Sequence, residues 1–366
     1  MQALLRFHEG GAGNALRLVE VTDLVARWTS GIERLEGMAA GLPRLKPCVI
    51  SDPDGVSLLP AGLSFDLVAF DEASCLAAYR ALPALCRASQ IVVAGDERQL
   101  PPAVAGGSLL EWAERLPAVR LDMHYRSRHE ALFSFNNEAY YGGALRTFPE
   151  AASEAAVRIV HSADPLGSLG PADVVLTFRE SDRVAAQAAL PEARVMRVDE
   201  SQGGAWDSVA LLIGPGALDG VDERVLNVAL SRAREGMVVI CGEAPDEALR
   251  PFLAHQEAAP PPPADDPLAA RLARRLEGWG LRVAREVGRG AFRIPLAVEP
   301  RDPARPRLAI LLDDPGDARA RSATTRDRLA PDQLALRGWA VCRVWDQEWR
   351  SDPEASLLRL MRALER

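Results

Sequence analysis

Two unbroken apolar stretches stand out in the first third of the chain. Residues 66–70 read DLVAF and residues 90–95 read QIVVAG, and acidic residues follow each of them. Continuous apolar runs of this length, bounded by polar turns, are typical of strands that are buried on both faces of a parallel sheet. The intervening stretch, CLAAYRALPALCRA at 75–88, has the spacing of a helix. This alternation of strands and helices predicts an α/β architecture.

The same alternation continues downstream, and it divides the chain into segments. The prolines of 258–266 predict an extended linker. We expect segments at 1–116, 117–254, 255–266 (the linker) and 267–366. In the second segment the pattern predicts strands at 118–122, 157–161, 173–178, 193–198, 208–214 and 237–242, with helices at 128–141 and 224–236. In the last it predicts helices at 267–278, 324–337 and 353–365, with strands at 281–287, 292–298, 307–314 and 340–346.

Composition excludes several classes of protein. The 366 residues are 48% hydrophobic and 26% charged, as in ordinary globular chains of two or three domains. A net charge of −8 argues against coating nucleic acid through bulk charge, although it allows a local basic groove. The scattered cysteines and histidines suggest neither a zinc site nor a disulfide framework. Without a membrane-length apolar run or the features of a signal peptide, we expect a cytoplasmic protein with no membrane partner.

Candidate chemistry lies where the two apolar stretches end. Asp71 and Glu72 follow the first stretch, and Asp96 and then Gln99 follow the second. Ligands of parallel sheets bind beyond the carboxyl ends of the strands, which is where these side chains are expected. One carboxylate could hold Mg²⁺ together with phosphate oxygens, and another could orient an attacking water. An acidic pair alone would equally fit a solvated turn, but the second strand ending in GDERQLPP favours a site that hydrolyses a nucleoside triphosphate.

Five ordered stretches resemble the motifs of superfamily 1 helicases, in particular the 1B branch that includes the nonsense-mediated-decay helicase. They cover roughly residues 42–245 and imply two RecA-like parallel-sheet domains, the first of them N-terminally incomplete. The resemblance also implies ATP and Mg²⁺ as cofactors and single-stranded DNA or RNA as partner. The matching stretches are VAFDEAS for motif II, VVAGDERQLPP for III, LDMHYRSRHEALFSFNNEAYYGGAL for IV, VMRVDESQGGAWDSVALLIG for V and LNVALSRAREGMVVICG for VI.

By this resemblance, the residues of the first domain have distinct roles. Asp71 would bind Mg²⁺, and Glu72 would be the catalytic carboxylate. Gln99 would contact the γ-phosphate or the water, and Asp96 would help to bind the nucleotide. Ser51 and Pro101 would contact nucleic acid, although an ordinary turn explains Ser51 equally well.

The second domain would contribute arginines and a coupling motif. By resemblance, Arg126 and Arg232 would reach the γ-phosphate, where a planar and permanently charged guanidinium stabilises the charge of phosphoryl transfer. The alternative for both is a surface salt bridge. Gln202 and Gly203 match the glutamine and glycine of motif V, which couple nucleotide to nucleic acid. Ala205 stands where relatives usually carry glutamate, which puts a ribose or groove contact in doubt.

A phosphate-binding P-loop needs the pattern GxxxxGK[ST], and this chain does not supply it. The glycines at 9–16 have no lysine in register, and Lys46 is the only lysine of the chain. We therefore expect the P-loop to come from a missing N-terminal segment or a separate polypeptide, and we expect the isolated chain to be inactive as an ATPase. Two explanations stay open, namely a fragment of a larger helicase and a short protein with a decayed ATP site. The competing function is a non-catalytic nucleic-acid-binding or regulatory module.

Residues 267–366 resemble the very-short-patch-repair endonuclease-like domain, of the PD-(D/E)XK type, that often follows such helicases in bacteria. Relatives carry an Asp where this chain has Pro295 and a Glu where it has Leu311, and only Asp313, with Asp314 beside it, is retained. Because such carboxylates hold the metal that activates water, the resemblance implies a nuclease fold without nuclease activity. The fold could still bind DNA through a run of arginines, for which a solvated helix start is at least as likely. These arginines are Arg319, Arg321, Arg326 and Arg328.

Overall fold

The computed structural model describes residues 48–59, 62–151, 155–258, 266–300, 305–313 and 323–365. Lys46 and the glycines at 9–16 lie outside these residues, as do Asp314, Arg319 and Arg321. The described chain divides into two compact units. The first contains the residues up to Glu97 together with Pro101–Ala118, and the second contains Arg98–Leu100 and Val119–Arg366. The four predicted segments remain a prediction.

The first unit is built on two parallel strands, β1 (Phe65–Phe70) and β2 (Ala88–Val93). The helix-like stretch predicted at 75–88 forms two short pieces, a 3₁₀ turn at Ala78–Ala81 and then a short helix that has Pro83 in its first turn. A proline suits the first turn of a helix but not its interior, and it therefore sets where this helix begins. The helices of the unit are α1 (Pro53–Ser57), α2 (Leu82–Leu85) and α3 (Leu109–Ala113).

Among the described residues, one face of the β1–β2 sheet is covered more fully than the other. Phe70 and its neighbours pack into a small core. On the opposite face Leu67 and Val92 remain 49% and 50% exposed. The register places both on this second face, because Leu67 is opposite Gln90 and Ala69 is opposite Val92. The prediction that both faces of these strands are buried is therefore wrong for the described residues.

The second unit contains a five-stranded sheet whose neighbouring strands all run parallel, in the order β3-β7-β6-β4-β5. All four residues of β4 are buried, as the continuous apolar pattern predicts for a central strand. Residues 119–258 are called the five-stranded domain below. Its strands are β3 (Val157–His161), β4 (Val174–Thr177), β5 (Val195–Arg197), β6 (Trp206–Ile213) and β7 (Ala233–Cys241), and its helices are α4 (Ser134–Tyr141), α5 (Glu180–Ala189), α6 (Glu223–Leu230) and α7 (Arg250–Glu257).

Two predicted elements of this domain are wrong. The strand expected at 118–122 does not form, and only an isolated bridge joins Met123 to Arg146. The helix expected at 224–236 ends at Leu230, and β7 already begins at Ala233. Asp222 begins this helix by accepting a hydrogen bond from Arg224 N at 2.7 Å, as an N-cap residue does.

The four-stranded domain (residues 266–365) has strand order β11-β10-β9-β8, with β10 and β11 parallel and the other pairs antiparallel. Both faces of the sheet are covered, since Leu308 and Ile310 pack into one hydrophobic cluster while Ala309 and Leu311 pack into another. Its strands are β8 (Arg282–Val287), β9 (Ile294–Glu299), β10 (Leu308–Asp313) and β11 (Ala340–Trp345), and its helices are α8 (Pro267–Glu277), α9 (Ala330–Ala335), α10 (Asp346–Ser351) and α11 (Pro353–Glu365).

The parallel sheets and the helices that accompany them confirm the predicted α/β class. The predicted helix at 353–365 is also confirmed, and α8 ends one residue before its predicted end. In the described part of the chain, no helix is both long and apolar enough to cross a membrane.

Candidate functional site

The candidate carboxylates of the first unit follow strands that pair in parallel. Phe70 is opposite Val93, so both strands end at the same edge of the sheet. The pairing continues into the loops, because Ala94 N donates to Phe70 O at 2.8 Å and Ala73 N donates to Ala94 O at 2.9 Å. Asp71 and Asp96 therefore leave the sheet at one edge, as the sequence predicts.

Glu72 has an unusual backbone conformation. Its φ is +53°, in the left-handed region that residues with a side chain seldom adopt. Asp71 stabilises the turn, since its Oδ1 accepts a hydrogen bond from Glu72 N at 2.9 Å. Strained positions of this kind concentrate at functional sites, and the turn leaves Asp71 exposed and Glu72 half-buried.

Gly95 allows the two loops to approach each other closely. A Cβ at this position would lie 3.0 Å from Ser74 N and 3.3 Å from Ala73 N, which are backbone atoms of the loop that follows Glu72. A side chain would therefore push the two loops apart. The glycine before Asp96 thus keeps the carboxyl ends of β1 and β2 together.

The described side chains limit how a metal ion could be held at this edge. Within the described residues, no group of three or more His, Cys, Asp or Glu side chains could hold a metal ion. Mg²⁺ is commonly held by one or two carboxylates together with substrate phosphates, rather than by a cage made only of protein. The exposed Asp71 fits that mode of binding.

Arg98–Leu100, the segment that carries Gln99, belongs to the second unit. Arg98 O accepts a hydrogen bond from Asn227 Nδ2 at 2.8 Å, and Leu100 packs against the core of the five-stranded domain. Sequence reasoning missed Asn227, which is buried and also contacts Asn136 Nδ2 through its own Oδ1 at 2.8 Å. The available signal was an asparagine at an apolar position of a helix. Gln99 itself is half-buried, whereas Pro101 is exposed and belongs to the first unit.

Arg232 is fully buried, with 0% of its surface exposed. Its Nε donates to Val228 O at 2.9 Å and its Nη1 to Gly204 O at 3.0 Å, while Nη2 donates to Ser231 Oγ at 2.8 Å. A surface salt bridge, the alternative for this residue, is therefore excluded. The bond to Gly204 also ties the candidate arginine to the loop of Gln202 and Gly203.

His124 shows that the two candidate arginines share one neighbourhood. Burial, and to a smaller extent the positive charges of Arg126, Arg337 and Arg232, lower the pKa of His124 from 6.5 to about 3. The imidazole ring stacks on Phe133 with ring centroids 3.7 Å apart. Its Nε2 accepts a hydrogen bond from the backbone N–H of Ser127 at 3.2 Å. The structure thus brings Arg126 and Arg232 together around a neutral histidine that sequence reasoning did not select.

The loop that follows Gln202 needs two glycines for different reasons. Gly203 has φ of +77°, and a Cβ on Gly204 would lie 2.4 Å from Trp206 Cη2. Gln202 precedes them, and its Nε2 is buried without a hydrogen-bond partner in the described part of the chain. A buried donor of this kind is costly unless a partner joins it, which is consistent with a position that receives a ligand.

Ser51 lies beside the start of a short helix. Its Oγ donates to Asp52 O at 2.9 Å, and Asp52 caps α1 by accepting a hydrogen bond from Gly55 N at 2.6 Å. These contacts account for Ser51 as part of an ordinary turn. Its role in binding nucleic acid, like that of Pro101, remains a prediction.

The four-stranded domain places the nuclease-related positions in apolar surroundings. Leu311 is 5% exposed and belongs to a hydrophobic cluster. Pro295 lies in the central strand β9, where it cannot donate a backbone hydrogen bond. Of the arginine run, Arg326 pairs with Asp327 at 2.8 Å and Arg328 is exposed. Neither arginine identifies a DNA-binding surface.

Comparisons with known proteins are consistent with this picture. Residues 269–364 match a restriction-endonuclease-like family model, REase_MTES_1575. The uncharacterized ATP-dependent helicase MG140 of Mycoplasma genitalium is 31% identical over 122 residues, which cover 26% of this chain and 11% of that protein. Its homolog in Mycoplasma pneumoniae is 30% identical with the same coverage. The chain thus matches about a tenth of the length of these curated relatives, and it combines similarity to helicases with a match to an endonuclease-like family model.

The similarity to solved structures is weaker than the similarity to these relatives. The Arterivirus helicase, nonstructural protein 10, is 18% identical with a TM-score of 0.40, and the match covers 56% of this chain and 43% of that one. The Pif1 helicase of Candida albicans is 13% identical with a TM-score of 0.29, covering 59% and 79% respectively. TM-scores this low do not define a shared fold.

Proposed function

We propose that the chain is part of an ATP-dependent DNA or RNA helicase whose ATPase is stimulated by nucleic acid and whose P-loop is supplied by another segment or polypeptide. The observation that carries this proposal is the turn after β1, where Asp71 and the strained Glu72 leave the sheet beside the strand that leads to Asp96. The similarity to helicases of Mycoplasma supports it. So does the order of the five motif-like stretches, which favours the superfamily 1B branch.

The carboxylates of the first unit would act on the nucleotide. Asp71 would hold Mg²⁺ together with phosphate oxygens, and the metal would neutralise charge on the phosphates. Glu72 would orient the attacking water and accept its proton. Asp96 would help to bind the nucleotide, and Gln99 would respond to the γ-phosphate.

The arginines of the five-stranded domain would act on the same phosphates. Arg126 is half-buried, and Arg232 now donates to protein oxygens such as Val228 O and Gly204 O. To bind a phosphate, Arg232 would exchange some of these bonds for charge-assisted bonds to phosphate oxygens, which are roughly twice as strong as neutral ones. Because Gly204 follows Gln202 and Gly203, such an exchange would also change the loop that is expected to respond to nucleic acid.

The segment or polypeptide that carries the P-loop would bind the first unit on the exposed face of the β1–β2 sheet. Leu67 and Val92 are exposed on the uncovered face of the β1–β2 sheet. Parallel sheets normally have both faces covered, so a polypeptide that adds the P-loop would bury these side chains. Single-stranded DNA or RNA is the other partner, with Ser51, Pro101, Gln202 and Gly203 as expected contacts.

The test measures phosphate release by the purified chain, first alone and then with a candidate P-loop-bearing polypeptide. We expect negligible turnover by the chain alone and turnover stimulated by single-stranded DNA or RNA in the mixture. Glu72→Gln should abolish that turnover, because the amide cannot accept the proton. Glu114→Gln, at an exposed position, is the matched control and should leave turnover unchanged.

Two outcomes would contradict parts of the proposal. Steady turnover by the chain alone that is lost in Glu72→Gln would show that no separate P-loop is needed. Binding of single-stranded DNA or RNA without any turnover in the mixture would favour the non-catalytic module. Nucleotide binding measured with a fluorescent ATP analogue separates this second outcome from a failure of the two polypeptides to associate.

A further inference from the structure

A short segment of the five-stranded domain is built into the core of the four-stranded domain. Residues 147–151 are called the docking segment. Phe148 is 2% exposed, and its hydrophobic cluster is otherwise formed mainly by residues of the four-stranded domain, including Ile294, Ala309 and Trp339. Phe148 also packs against Phe292, with ring centroids 4.8 Å apart. An aromatic side chain so completely buried is a core residue and not a transient surface contact.

Backbone hydrogen bonds fix the docking segment along its length. Trp339 Nε1 donates to Pro149 O at 2.9 Å. Ala151 N donates to Arg337 O at 3.0 Å, and Ala151 O accepts a bond from Arg307 Nη1 at 3.2 Å. Buried backbone groups need such partners, so separating the two domains would leave several of them unpaired or exposed.

A second anchor is the buried carboxylate of Glu130, which is 6% exposed. Its Oε2 accepts a hydrogen bond from Arg289 N at 2.6 Å and its Oε1 accepts one from Gly290 N at 2.7 Å. Thr147 Oγ1 donates to the same carboxylate. A Cβ on Gly290 would lie 2.2 Å from Thr147 Oγ1 and 2.8 Å from Glu130 Oε1, so this contact requires glycine.

The docking segment covers the sheet face that holds Leu311. Successive residues of a strand point to opposite faces, and along β10 they alternate between two hydrophobic clusters. Leu311 belongs to the same cluster as Phe148. Resemblance places a nuclease glutamate at the position of Leu311, so this chain has an apolar interdomain contact on a face where a nuclease would carry a metal-binding carboxylate.

The docked domain also contacts the loop that carries Arg126. Met123 packs against the cluster of Phe148, and Arg337 Nη2 lies 3.5 Å from Ser127 O. On its other side this loop is tied to β7, because Ser127 Oγ donates to Ala233 O at 3.1 Å. The loop is thus held between the five-stranded sheet and the four-stranded domain.

We propose that the endonuclease-like domain is a permanently docked brace of the five-stranded domain, joined through Phe148 on the face that holds Leu311, and that it orders the loop of Arg126. The domain is then no independent nuclease on a flexible linker. The docking of the two domains does not depend on the proposed ATPase activity. The functional importance of ordering the loop of Arg126 does rest on that proposed function. The experiments below therefore measure association and order, and not turnover.

The first experiment introduces a protease site at residues 259–265, within the predicted linker of the full chain, and cuts it after purification. We expect the two fragments to elute together in size-exclusion chromatography. Phe148→Ala should weaken their association at least tenfold, whereas Leu336→Ala, at an exposed position of the four-stranded domain, should not. Fragments that separate in the unsubstituted protein, or an affinity unchanged by Phe148→Ala, would overturn the proposal. Circular dichroism before cleavage shows whether each variant has folded.

The second experiment restores a carboxylate with Leu311→Glu, using Leu311→Met as the control of similar volume. We expect Leu311→Glu to lower the melting temperature and to separate the cut fragments, because it places a charge in the cluster of Phe148. A variant that stays docked and cleaves DNA with Mg²⁺ would overturn the proposal. In the same samples, hydrogen exchange at residues 122–130 should become at least tenfold faster when docking is lost. Unchanged exchange would show that the domain does not order the loop.

Discussion

At the scale of single residues, the sequence identified the residue types at the candidate site. It did not show the backbone conformations that these residues adopt. The acidic residues after two apolar strands, and their similarity to helicase motifs, were sufficient to select Asp71, Glu72 and Asp96. The left-handed backbone of Glu72 could not be read from the sequence, because glutamate does not favour it. His124 was also missed, since a lone histidine carries no spacing signal, and its importance depends on which arginines fold around it.

The conformation of Glu72 predicts an unusual effect on stability. Glu72→Gly should stabilise the protein by about 1 kcal/mol relative to Glu72→Ala, because glycine adopts a positive φ without the steric cost that a Cβ imposes. Both variants lose the carboxylate, so their difference isolates the backbone. Urea unfolding followed by circular dichroism measures it. Equal stability of the two variants would show that the turn is not strained.

His124 predicts a loss of stability in acid. Its pKa is about 3 in the folded protein and 6.5 as the ordinary value, so below pH 6.5 the unfolded chain binds a proton that the folded protein does not. This contribution therefore lowers the free energy of unfolding as the pH falls from about 6.5 towards 3, by about 1.4 kcal/mol per pH unit in the middle of that range. His124→Gln removes the titration. Urea unfolding from pH 7 to pH 4 should show a steeper loss in the unsubstituted protein, and parallel curves would contradict this assignment.

At the scale of helices and strands, prediction succeeded where the local pattern was sufficient and failed where distant residues decide. The strands of both sheets in the second unit follow continuous or alternating apolar patterns, and α11 is bounded as predicted. The expected strand at 118–122 does not form, and at its end Asp122 O accepts a single backbone hydrogen bond, from Arg146 N at 2.7 Å. The helix expected to run to 236 ends at Leu230, and the residues from Ala233 onward form β7, which pairs with β3 and β6. Long-range contacts of this kind leave no local signature.

The uncovered face of the β1–β2 sheet predicts how the isolated chain behaves in solution. The double substitution Leu67→Ser with Val92→Thr should reduce self-association, because both side chains are about half exposed and apolar. It should change the free energy of unfolding by less than about 0.5 kcal/mol per site, as surface substitutions usually do. It should also weaken binding of a P-loop-bearing polypeptide. Light scattering and a binding titration measure these two effects.

Val119→Thr is the matched control, since Val119 is 90% exposed but is not part of this sheet. We expect it to change neither self-association nor binding. If the double variant bound the P-loop-bearing polypeptide as tightly as the unsubstituted chain, that polypeptide would have to bind elsewhere.

At the scale of the second unit, the docking segment predicts that the five-stranded and four-stranded domains unfold together. Sequence suggested separate domains joined by a proline-rich linker, because the pattern of a linker is local, whereas the burial of Phe148 among residues such as Trp339 joins distant parts of the chain. Domains that share core residues and buried hydrogen bonds are expected to open as one cooperative unit. Protected amides of β6 and β10 should therefore exchange with similar opening free energies.

Phe148→Ala should give the amides of β6 and β10 different opening free energies. Truncating a buried phenylalanine typically costs about 3–5 kcal/mol, and here the resulting cavity lies against the four-stranded sheet. We therefore expect the amides of β10 to lose most of their protection against hydrogen exchange, while the amides of β6 retain more of theirs. Native-state hydrogen exchange by mass spectrometry measures both strands in one sample, and Leu336→Ala should leave both unchanged. If β6 and β10 already open independently in the unsubstituted protein, the two domains are merely adjacent, and the linker alone holds them together.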